Sequence, residues 1–287
     1  DYTIVEGSVR MPIAQTYTLK AVINKPGTTD DAGLFSAPED LFFSEDGYLY
    51  VVDTGNSRVV KMKPDGTLVG IFKGPEEKPL KNPKGIFADS DGMYIADSGN
   101  YRILHLSSDG SFVEEFTRPI SESLPSDFIF DPSKVIVTKT GYIYALKGQY
   151  LISIDGYNRF RGYVGQSKID FSLREMLVRL FGSEKQKTAI RTRIAASYTN
   201  IVLDNDGLIF ATTQDSRDGE IKRLNAVGIN IYRNYNASSG LTWLKNLVSY
   251  SFDDLSFRYG DNSITLPNFV DLAVDSSGII SALDGAT

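Results

Sequence analysis

A tandem repeat of about 44 residues is the feature of this sequence that most restricts its fold. One copy occupies residues 38–73 and a second occupies residues 83–117. The repeat keeps its phase, because Asp53 lies 44 residues before the equivalent Asp97. A period in the low forties, divided among several short strands, is typical of the blades of a β-propeller. The sequence therefore predicts an all-β protein, a β-propeller built from four-stranded blades.

Turn chemistry supports four strands in each of the two clear copies. The first turn ends at Gly47 or Gly92, and the third turn ends at Gly66 or Gly110, each time directly after an aspartate. Asp-Gly between β-rich runs is a strong hairpin signal, because glycine readily adopts the positive φ that such turns need. Each glycine is flanked by runs rich in Val, Ile, Tyr and Phe, as expected for short antiparallel strands.

Three weaker copies extend the repeat towards the end of the chain. They occupy residues 134–164, 200–231 and 269–283, so five units can be recognised and the last is incomplete. We therefore expect residues 17–287 to form one propeller domain and residues 1–16 to form an extended N-terminal strap. No apolar run approaches the 18 residues that would indicate a membrane-spanning helix.

Two insertions interrupt the later units. In residues 165–196, apolar side chains from Leu173 to Phe181 recur with the spacing of one helix face, which predicts a helical insertion around 170–196. The second insertion, residues 232–266, is rich in Asn, Ser, Gly and Asp and holds the single tryptophan, Trp243. It is expected to form a loop. Long excursions from a compact fold are often functional, so both insertions are candidate binding surfaces.

A short motif, D-x-G-N-x-R-[V/I], separates the second strand from the third in both clear copies. It begins with Asp53-Thr54-Gly55-Asn56 in the first copy and with Asp97-Ser98-Gly99-Asn100 in the second, and the arginines are Arg58 and Arg102. With the proline-led first strand, this motif resembles the NHL repeat. The whole pattern is similar to exported bacterial NHL-repeat proteins of unsettled function, which implies an extracellular or cell-envelope location.

The resemblance also implies a ring of six blades that is closed by an N-terminal strand, for which the candidate here is Tyr17–Ile23. Five units, the last with two strands, do not complete such a ring. We therefore expect either an open ring or a parent protein that continues for at least one more blade. Unpaired strand edges and exposed apolar surface would then favour self-association.

The motif side chains are interpreted first as structural. Aspartate and asparagine at a turn usually bond nearby backbone, and an arginine stem can lie along a neighbouring blade while its head pairs with the motif aspartate. This interpretation covers Asp53, Asn56, Arg58, Asp97, Asn100 and Arg102. The alternative is an arginine that faces a ligand.

Charge disfavours nucleic acid as a partner, because the net charge is −6 and phosphate binding usually requires a basic surplus. Residues 155–193 depart from this balance, since they contain nine Lys and Arg, among them Arg159 and Arg161, against four acids. A solvated helix face is the preferred interpretation of this stretch, and RNA binding is the alternative. The candidate binding residues are Arg174, Arg179, Arg191, Arg193 and Trp243.

The sequence gives little support for metal or nucleophilic chemistry. It has no cysteine and one histidine, His105, which excludes disulfides, thiolate sites and multi-histidine zinc sites. His105 is expected to share a strand face with Ile103. Calcium stays an alternative at Asp89-Ser90-Asp91 and Asp204-Asn205-Asp206, although hairpin turns explain both sequences. No metal ligand or other cofactor is therefore assigned.

These observations predict a non-catalytic binding module that recognises a protein, a peptide or a glycan through propeller loops and insertions. One alternative is a lactonase- or lyase-like propeller enzyme that uses a carboxylate-bound divalent metal. The other is RNA binding through the basic insertion.

Overall fold

The computed structural model describes residues 3–6, 9–12, 21–27, 32–148, 150–164, 197–204, 206–214, 220–225, 228, 231, 269–275 and 277–285. Its regular structure within these residues is β-strand, apart from short 3₁₀ turns. The insertion predicted at 165–196, with its helix, and the insertion predicted at 232–266 lie outside the described residues.

The strands follow the repeat. In chain order they are β1 (Thr3–Glu6), β2 (Val9–Pro12), β3 (Pro38–Phe43), β4 (Leu49–Asp53), β5 (Arg58–Met62), β6 (Leu68–Phe72), β7 (Pro83–Asp89), β8 (Gly92–Asp97), β9 (Arg102–Leu106), β10 (Phe112–Phe116), β11 (Lys134–Val137), β12 (Ile143–Lys147), β13 (Tyr150–Ile154), β14 (Phe160–Val164), β15 (Ser197–Leu203), β16 (Ile209–Gln214), β17 (Glu220–Leu224), β18 (Phe269–Val274) and β19 (Ile280–Asp284).

Each repeat forms its own antiparallel sheet, which we call a blade. Blades 1, 2 and 3 have four strands each, β3–β6, β7–β10 and β11–β14, paired in chain order. Among the described residues, blade 4 has three strands, β15–β17, and blade 5 has two, β18–β19. The first strands of successive blades contact one another, from β3 to β7, β11, β15 and β18. The predicted all-β propeller architecture is therefore confirmed.

The core is divided among the interfaces between neighbouring blades. Tyr50 and Val52 of blade 1 pack with Ile95 and Leu104 of blade 2 in one apolar cluster. Equivalent clusters join blade 2 to blade 3, blade 3 to blade 4 and blade 4 to blade 5. Burial of one such side chain contributes about 1.5–3 kcal/mol, so each blade depends on its neighbours for stability.

The described residues of the N-terminal segment predicted as a strap include two short strands. Strands β1 and β2 pair antiparallel, with Ile4 opposite Met11. Of the predicted outer strand Tyr17–Ile23 only residues 21–23 are described, and they form no strand.

Instead of pairing as a strand, Ile23 packs with Phe35 against the side of blade 1 that faces away from blade 2. On the same side, Leu41 and Phe43 are 60% and 61% exposed. Exposed apolar side chains on a blade face favour association. Self-association therefore stays a prediction for this chain.

The motif glycines lie where two backbone segments approach closely. The Gly99 N–H donates to the Lys81 carbonyl at 2.9 Å, and a methyl group at Gly99 would lie 2.5 Å from that oxygen. Any larger residue therefore forces the motif turn away from the segment that precedes β7.

We expect Gly99→Ala to destabilise the protein by about 1–3 kcal/mol, the usual cost of overpacking. Gly156→Ala is the matched control, because a methyl group there meets nothing within 4 Å. Its effect should stay within about 0.5 kcal/mol. Urea denaturation measures both, and equal stabilities of the two variants would contradict the steric argument.

Candidate functional site

The two ends of the propeller differ in how completely their polar groups are paired. Because the strands alternate in direction, the first and third turns of each blade lie at one end, which we call the turn end. The second turns, which carry the D-x-G-N-x-R motif, lie at the opposite end, which we call the motif end.

At the motif end of blade 1, the side chains bond one another and the backbone before the blade. Asp53 accepts hydrogen bonds from Arg58 Nε at 2.6 Å, Asn56 Nδ2 at 2.8 Å and the Ser36 N–H at 2.7 Å. Asn56 also donates to the Leu34 carbonyl at 2.9 Å. Asp53 is fully buried and Arg58 is 7% exposed, so neither offers a surface to a ligand.

Blade 2 repeats this network with one addition. Asp97 accepts from Arg102 Nε at 2.7 Å and from Asn100 Nδ2 at 2.9 Å. Arg102 also donates to Glu115 and to the Lys78 carbonyl, both at 2.7 Å. The hydrogen bond from Arg102 is the main reason that the pKa of Glu115 lies below its ordinary value.

The residues between the aspartate and the glycine join successive blades. Thr54 Oγ1 donates to the Pro83 carbonyl of blade 2 at 2.7 Å, and Ser98 Oγ donates to the Pro132 carbonyl before blade 3. Together with the side-chain network, these bonds pair the motif side chains of blades 1 and 2 with groups of the protein itself.

Near the propeller axis, one ion pair links blades that are not neighbours. Asp40 on β3 pairs with Lys134 on β11, and it also accepts from the Ile86 N–H of β7 at 2.9 Å. Gly85 lies beside this contact, where a methyl group would meet the Ser133 carbonyl at 2.6 Å. Burial raises the pKa of Asp40 more than Lys134 lowers it.

The turn end carries exposed charged side chains in the described first and third turns. Acidic residues occur in the first turns of four blades: Glu45, Asp46, Asp89, Asp91, Asp204, Asp206 and Asp275. Third turns add exposed aspartates, and hydrogen bonds from Ser107 and Ser111 lower the pKa of Asp109 to about 2. The first turn of blade 3, residues 138–141, has no acid and contains the exposed Lys139.

Blade 3 also has a cleft of about 390 Å³ between its first and third turns, which we call the blade-3 cleft. Its lining includes Thr140, Tyr142, Asp155, Tyr157, Arg159 and Arg161. Tyr142 is 39% exposed and Tyr157 is 78% exposed. An exposed aromatic pair beside two arginines is a combination that suits recognition, because such side chains bury large area and retain a polar group.

Asp155 positions both arginines of the cleft. It accepts a hydrogen bond from Arg159 Nε at 2.8 Å and forms an ion pair with Arg161 Nη2 at 2.8 Å, and its second oxygen accepts from the Tyr157 N–H at 3.0 Å. Burial raises the pKa of Asp155, but hydrogen bonds from the Arg159 N–H, the Arg159 side chain and the Tyr157 N–H bring it below its ordinary value. Asp155 is therefore ionised at neutral pH, and the three side chains carry one net positive charge.

Calcium was an alternative for the aspartates of two first turns, and these aspartates accept hydrogen bonds from nearby residues. Asp204 Oδ2 accepts from Arg223 at 2.7 Å, and Asp204 Oδ1 accepts from the N–H groups of Asp206 and Leu208. Asp89 accepts from the Asp91 N–H at 2.9 Å. Among the described residues, no group of three or more His, Asp or Glu side chains is placed to share a metal ion.

His105 lies inside the interface between blades rather than in a cleft. Its ring stacks on Tyr94 with centroids 4.0 Å apart, and its Nδ1 lies 3.2 Å from Glu114 Oε1. Successive side chains of β9 point to opposite blades. Ile103 packs in the cluster between blades 2 and 3, whereas Leu104 packs in the cluster between blades 1 and 2, as expected for a strand.

The predicted binding residues Arg174, Arg179, Arg191, Arg193 and Trp243 lie outside the described residues, so their role stays a prediction. The interpretation of residues 155–193 as a helix face is wrong for Arg159 and Arg161, because Arg161 lies on β14 and Arg159 directly precedes it. Tyr142, Tyr157 and Lys139 were not predicted as site residues. The missing carboxylate in the first turn of blade 3 is the sequence signal that could have indicated them.

No helix in the described part of the chain has the length and apolarity needed to cross a membrane. No protein-family model matches the sequence. No curated protein matches it either.

Solved structures resemble the chain in fold at low identity. A catalytically inactive virginiamycin B lyase from Staphylococcus aureus, with quinupristin, is 15% identical, with 65% of this chain and 54% of that chain covered and a TM-score of 0.39. A putative exported protein from Bacteroides fragilis is 16% identical, with coverages of 71% and 52% and a TM-score of 0.45. A gluconolactonase from Xanthomonas campestris is 13% identical, with coverages of 67% and 58% and a TM-score of 0.41. The chain thus spans little more than half of the length of these proteins.

Proposed function

We propose that this chain is a non-catalytic recognition module that binds a protein, a peptide or a glycan at the turn end of blade 3. The resemblance of the whole sequence pattern to exported bacterial NHL-repeat proteins supports an extracellular or cell-envelope location. The observation that carries the proposal is the blade-3 cleft, in which two exposed tyrosines adjoin two arginines held by one carboxylate.

The distribution of charge supports recognition at this place. Exposed carboxylates on the first turns of the other blades repel an anionic ligand, whereas Lys139, Arg159 and Arg161 attract one to blade 3. Complementary and like charges arranged in this way favour one docking position over others. The motif end lacks this contrast in blades 1 and 2, because its buried arginines are already paired.

Arrays of immobilised glycans and peptides test the proposal, with the wild type compared with Arg161→Ala. A charge-assisted hydrogen bond contributes about 1.5–3 kcal/mol, so we expect at least tenfold weaker binding of the preferred ligand. Lys63→Ala is the control, because it removes one exposed positive charge from the equivalent turn of blade 1. Binding that is the same in wild type and Arg161→Ala would place recognition elsewhere.

The same preparation separates the alternatives. A tightly held stoichiometric divalent metal in the purified protein would favour a lactonase- or lyase-like enzyme. An RNA affinity that falls steeply with salt concentration would favour RNA binding through the basic insertion.

A further inference from the structure

We propose that the ligand of the blade-3 cleft is an acidic saccharide, a glycan that presents a uronate carboxylate. This inference rests on the proposed function and adds the chemical class of the ligand. Three properties of the cleft support it: unsatisfied cationic groups, exposed tyrosine rings and a neighbouring strand edge that is already paired.

The cationic groups exceed the negative charge that holds them. Asp155 engages Arg159 through Nε and Arg161 through one Nη, and no other hydrogen-bond acceptor for these guanidinium groups occurs among the described residues. The two side chains are 51% and 44% exposed. Because a guanidinium binds a carboxylate in a planar, two-pronged geometry, the remaining N–H groups suit a carboxylate of the ligand.

The tyrosines supply the second property. Arg159 lies 5.0 Å from the centroid of the Tyr157 ring, so the cation and the aromatic surface are adjacent. The C–H face of a pyranose ring packs flat against an aromatic ring, while hydroxyl groups such as those of Thr140 and Tyr142 bond the sugar hydroxyls. Among the residues that the structure describes, these groups and turn glycines line the cleft, and no aliphatic side chain does.

The third property disfavours a peptide that adds a strand. The outer edge of blade 3 begins at Asn158–Phe160, where the chain itself supplies a partner. The Ile120 N–H donates to the Asn158 carbonyl at 2.8 Å, and the Phe160 N–H donates to the Ile120 carbonyl at 3.1 Å. An added strand gains its affinity from free backbone groups at a sheet edge, and here those beside the cleft are occupied.

Isothermal titration tests the inference with three probes, the tetrasaccharides of galacturonate, mannuronate and hyaluronan. Each is compared with its own methyl ester, which keeps the sugar and removes the charge, and with tetraglutamate, which keeps the charge and removes the sugar. We expect one or more tetrasaccharides to bind at least tenfold more tightly than the ester and than tetraglutamate. Tyr157→Ala and Arg161→Ala should each weaken that binding at least tenfold, and Lys63→Ala should change it less than twofold.

Failure of all three probes to bind more tightly than their esters would overturn the inference, as would equal binding of tetraglutamate. Unchanged saccharide affinity in Tyr157→Ala would overturn it too. The proposed function fails in a different way. If the arrays yield a peptide whose binding depends on Arg161, the recognition function at the cleft is supported and the saccharide class is wrong. Array binding that is independent of Arg161 would contradict both proposals, because each places the ligand in the blade-3 cleft.

Discussion

Replacement of Arg102 by alanine is expected to lower the free energy of unfolding by about 3–5 kcal/mol, the usual cost of breaking a buried ion pair. Arg102 is 1% exposed, and its partner Asp97 is fully buried. In the variant, Asp97 keeps hydrogen bonds from Asn100 and from the Lys81 N–H, but it loses its counter-charge. A buried carboxylate without a cation is the source of the loss.

Arg159→Ala is the matched control for this substitution. Both arginines bond an aspartate through Nε, at 2.7 Å for Arg102 and 2.8 Å for Arg159, but the Arg159 side chain is 51% exposed. Solvent screens an exposed pair, so its loss should cost at most about 1 kcal/mol. Arg102→Lys should give an intermediate result, because an ammonium group cannot reproduce the three directed bonds of the guanidinium. Urea denaturation at pH 7 measures all three variants, and equal losses in the two alanine variants would contradict the role of burial.

The free energy of unfolding at acidic pH gives a second measure of the role of Arg102. The pKa of Glu115 is lowered in the folded state by Arg102 first and also by Lys78, so this group stabilises the fold above its unfolded value of 4.5. That contribution is lost as the pH falls through the folded pKa. In Arg102→Ala the pKa of Glu115 should move back towards 4.5, and this part of the acid destabilisation should shrink.

The strand order of blades 1 and 2 was predictable because its signals are local. The Asp-Gly turns and the D-x-G-N-x-R motif each lie within a few residues, and their geometry depends on backbone that is close in sequence. Even the motif glycines are explained by one neighbouring segment, as Gly99 and Lys81 illustrate. Local turn chemistry is the most transferable part of a sequence pattern.

The ion pair near the propeller axis was not predictable, because its two residues are distant in sequence. Asp40 and Lys134 are 94 residues apart in sequence, and nothing near either residue indicates the other. They meet because the first strands of blades 1, 2 and 3 converge and Gly85 leaves space between them. Such a pair depends on how the blades are arranged around the axis, and no local sequence pattern determines that arrangement.

The candidate site was predictable only in part. The excess of positive charge that includes Arg159 and Arg161 is visible in the sequence, but its assignment to a helix face placed both residues in the wrong element. The exposure of Tyr142 and Tyr157 was not visible, because tyrosines also occur at buried strand positions such as Tyr50. Only the positions of the two turns of blade 3 bring these side chains to one cleft.

Replacement of Lys134, the cation near the propeller axis, by an uncharged residue is expected to produce a pH-dependent loss of stability. Burial raises the pKa of Asp40 above its unfolded value of 3.8, and Lys134 and the N–H groups of Ile86 and Leu41 offset part of this effect. Lys134→Met removes the largest of the offsetting groups while keeping a long apolar stem. The pKa of Asp40 should therefore rise further, and the variant should lose about 3–5 kcal/mol at pH 8, where Asp40 is buried and charged without a counter-charge.

The direction of the pH dependence follows from the raised pKa. A carboxyl group whose folded pKa exceeds its unfolded pKa favours the fold when protonated, so its contribution is fully present below pH 3.8 and is lost as the pH rises through the folded pKa. Between the folded pKa of the wild type and the higher folded pKa of Lys134→Met, the deficit of the variant should shrink by about 1.4 kcal/mol for each unit of acidification. Urea denaturation of both proteins at pH 5, 6, 7 and 8 measures this difference, and other titrating groups cancel in it.

A double variant identifies Asp40 as the titrating group. Asp40→Asn with Lys134→Met replaces the ion pair by a neutral amide and an apolar side chain, so its deficit relative to Lys134→Met alone should be smaller at pH 8. The amide does not ionise, and the difference between the double variant and Lys134→Met should therefore vary with pH and vanish towards pH 4, where Asp40 is protonated in the single variant. A deficit of Lys134→Met that is the same at pH 5 and pH 8, or a double variant no more stable than the single one at pH 8, would show that lost packing of the Lys134 stem rather than an unpaired carboxylate limits the stability of the axis.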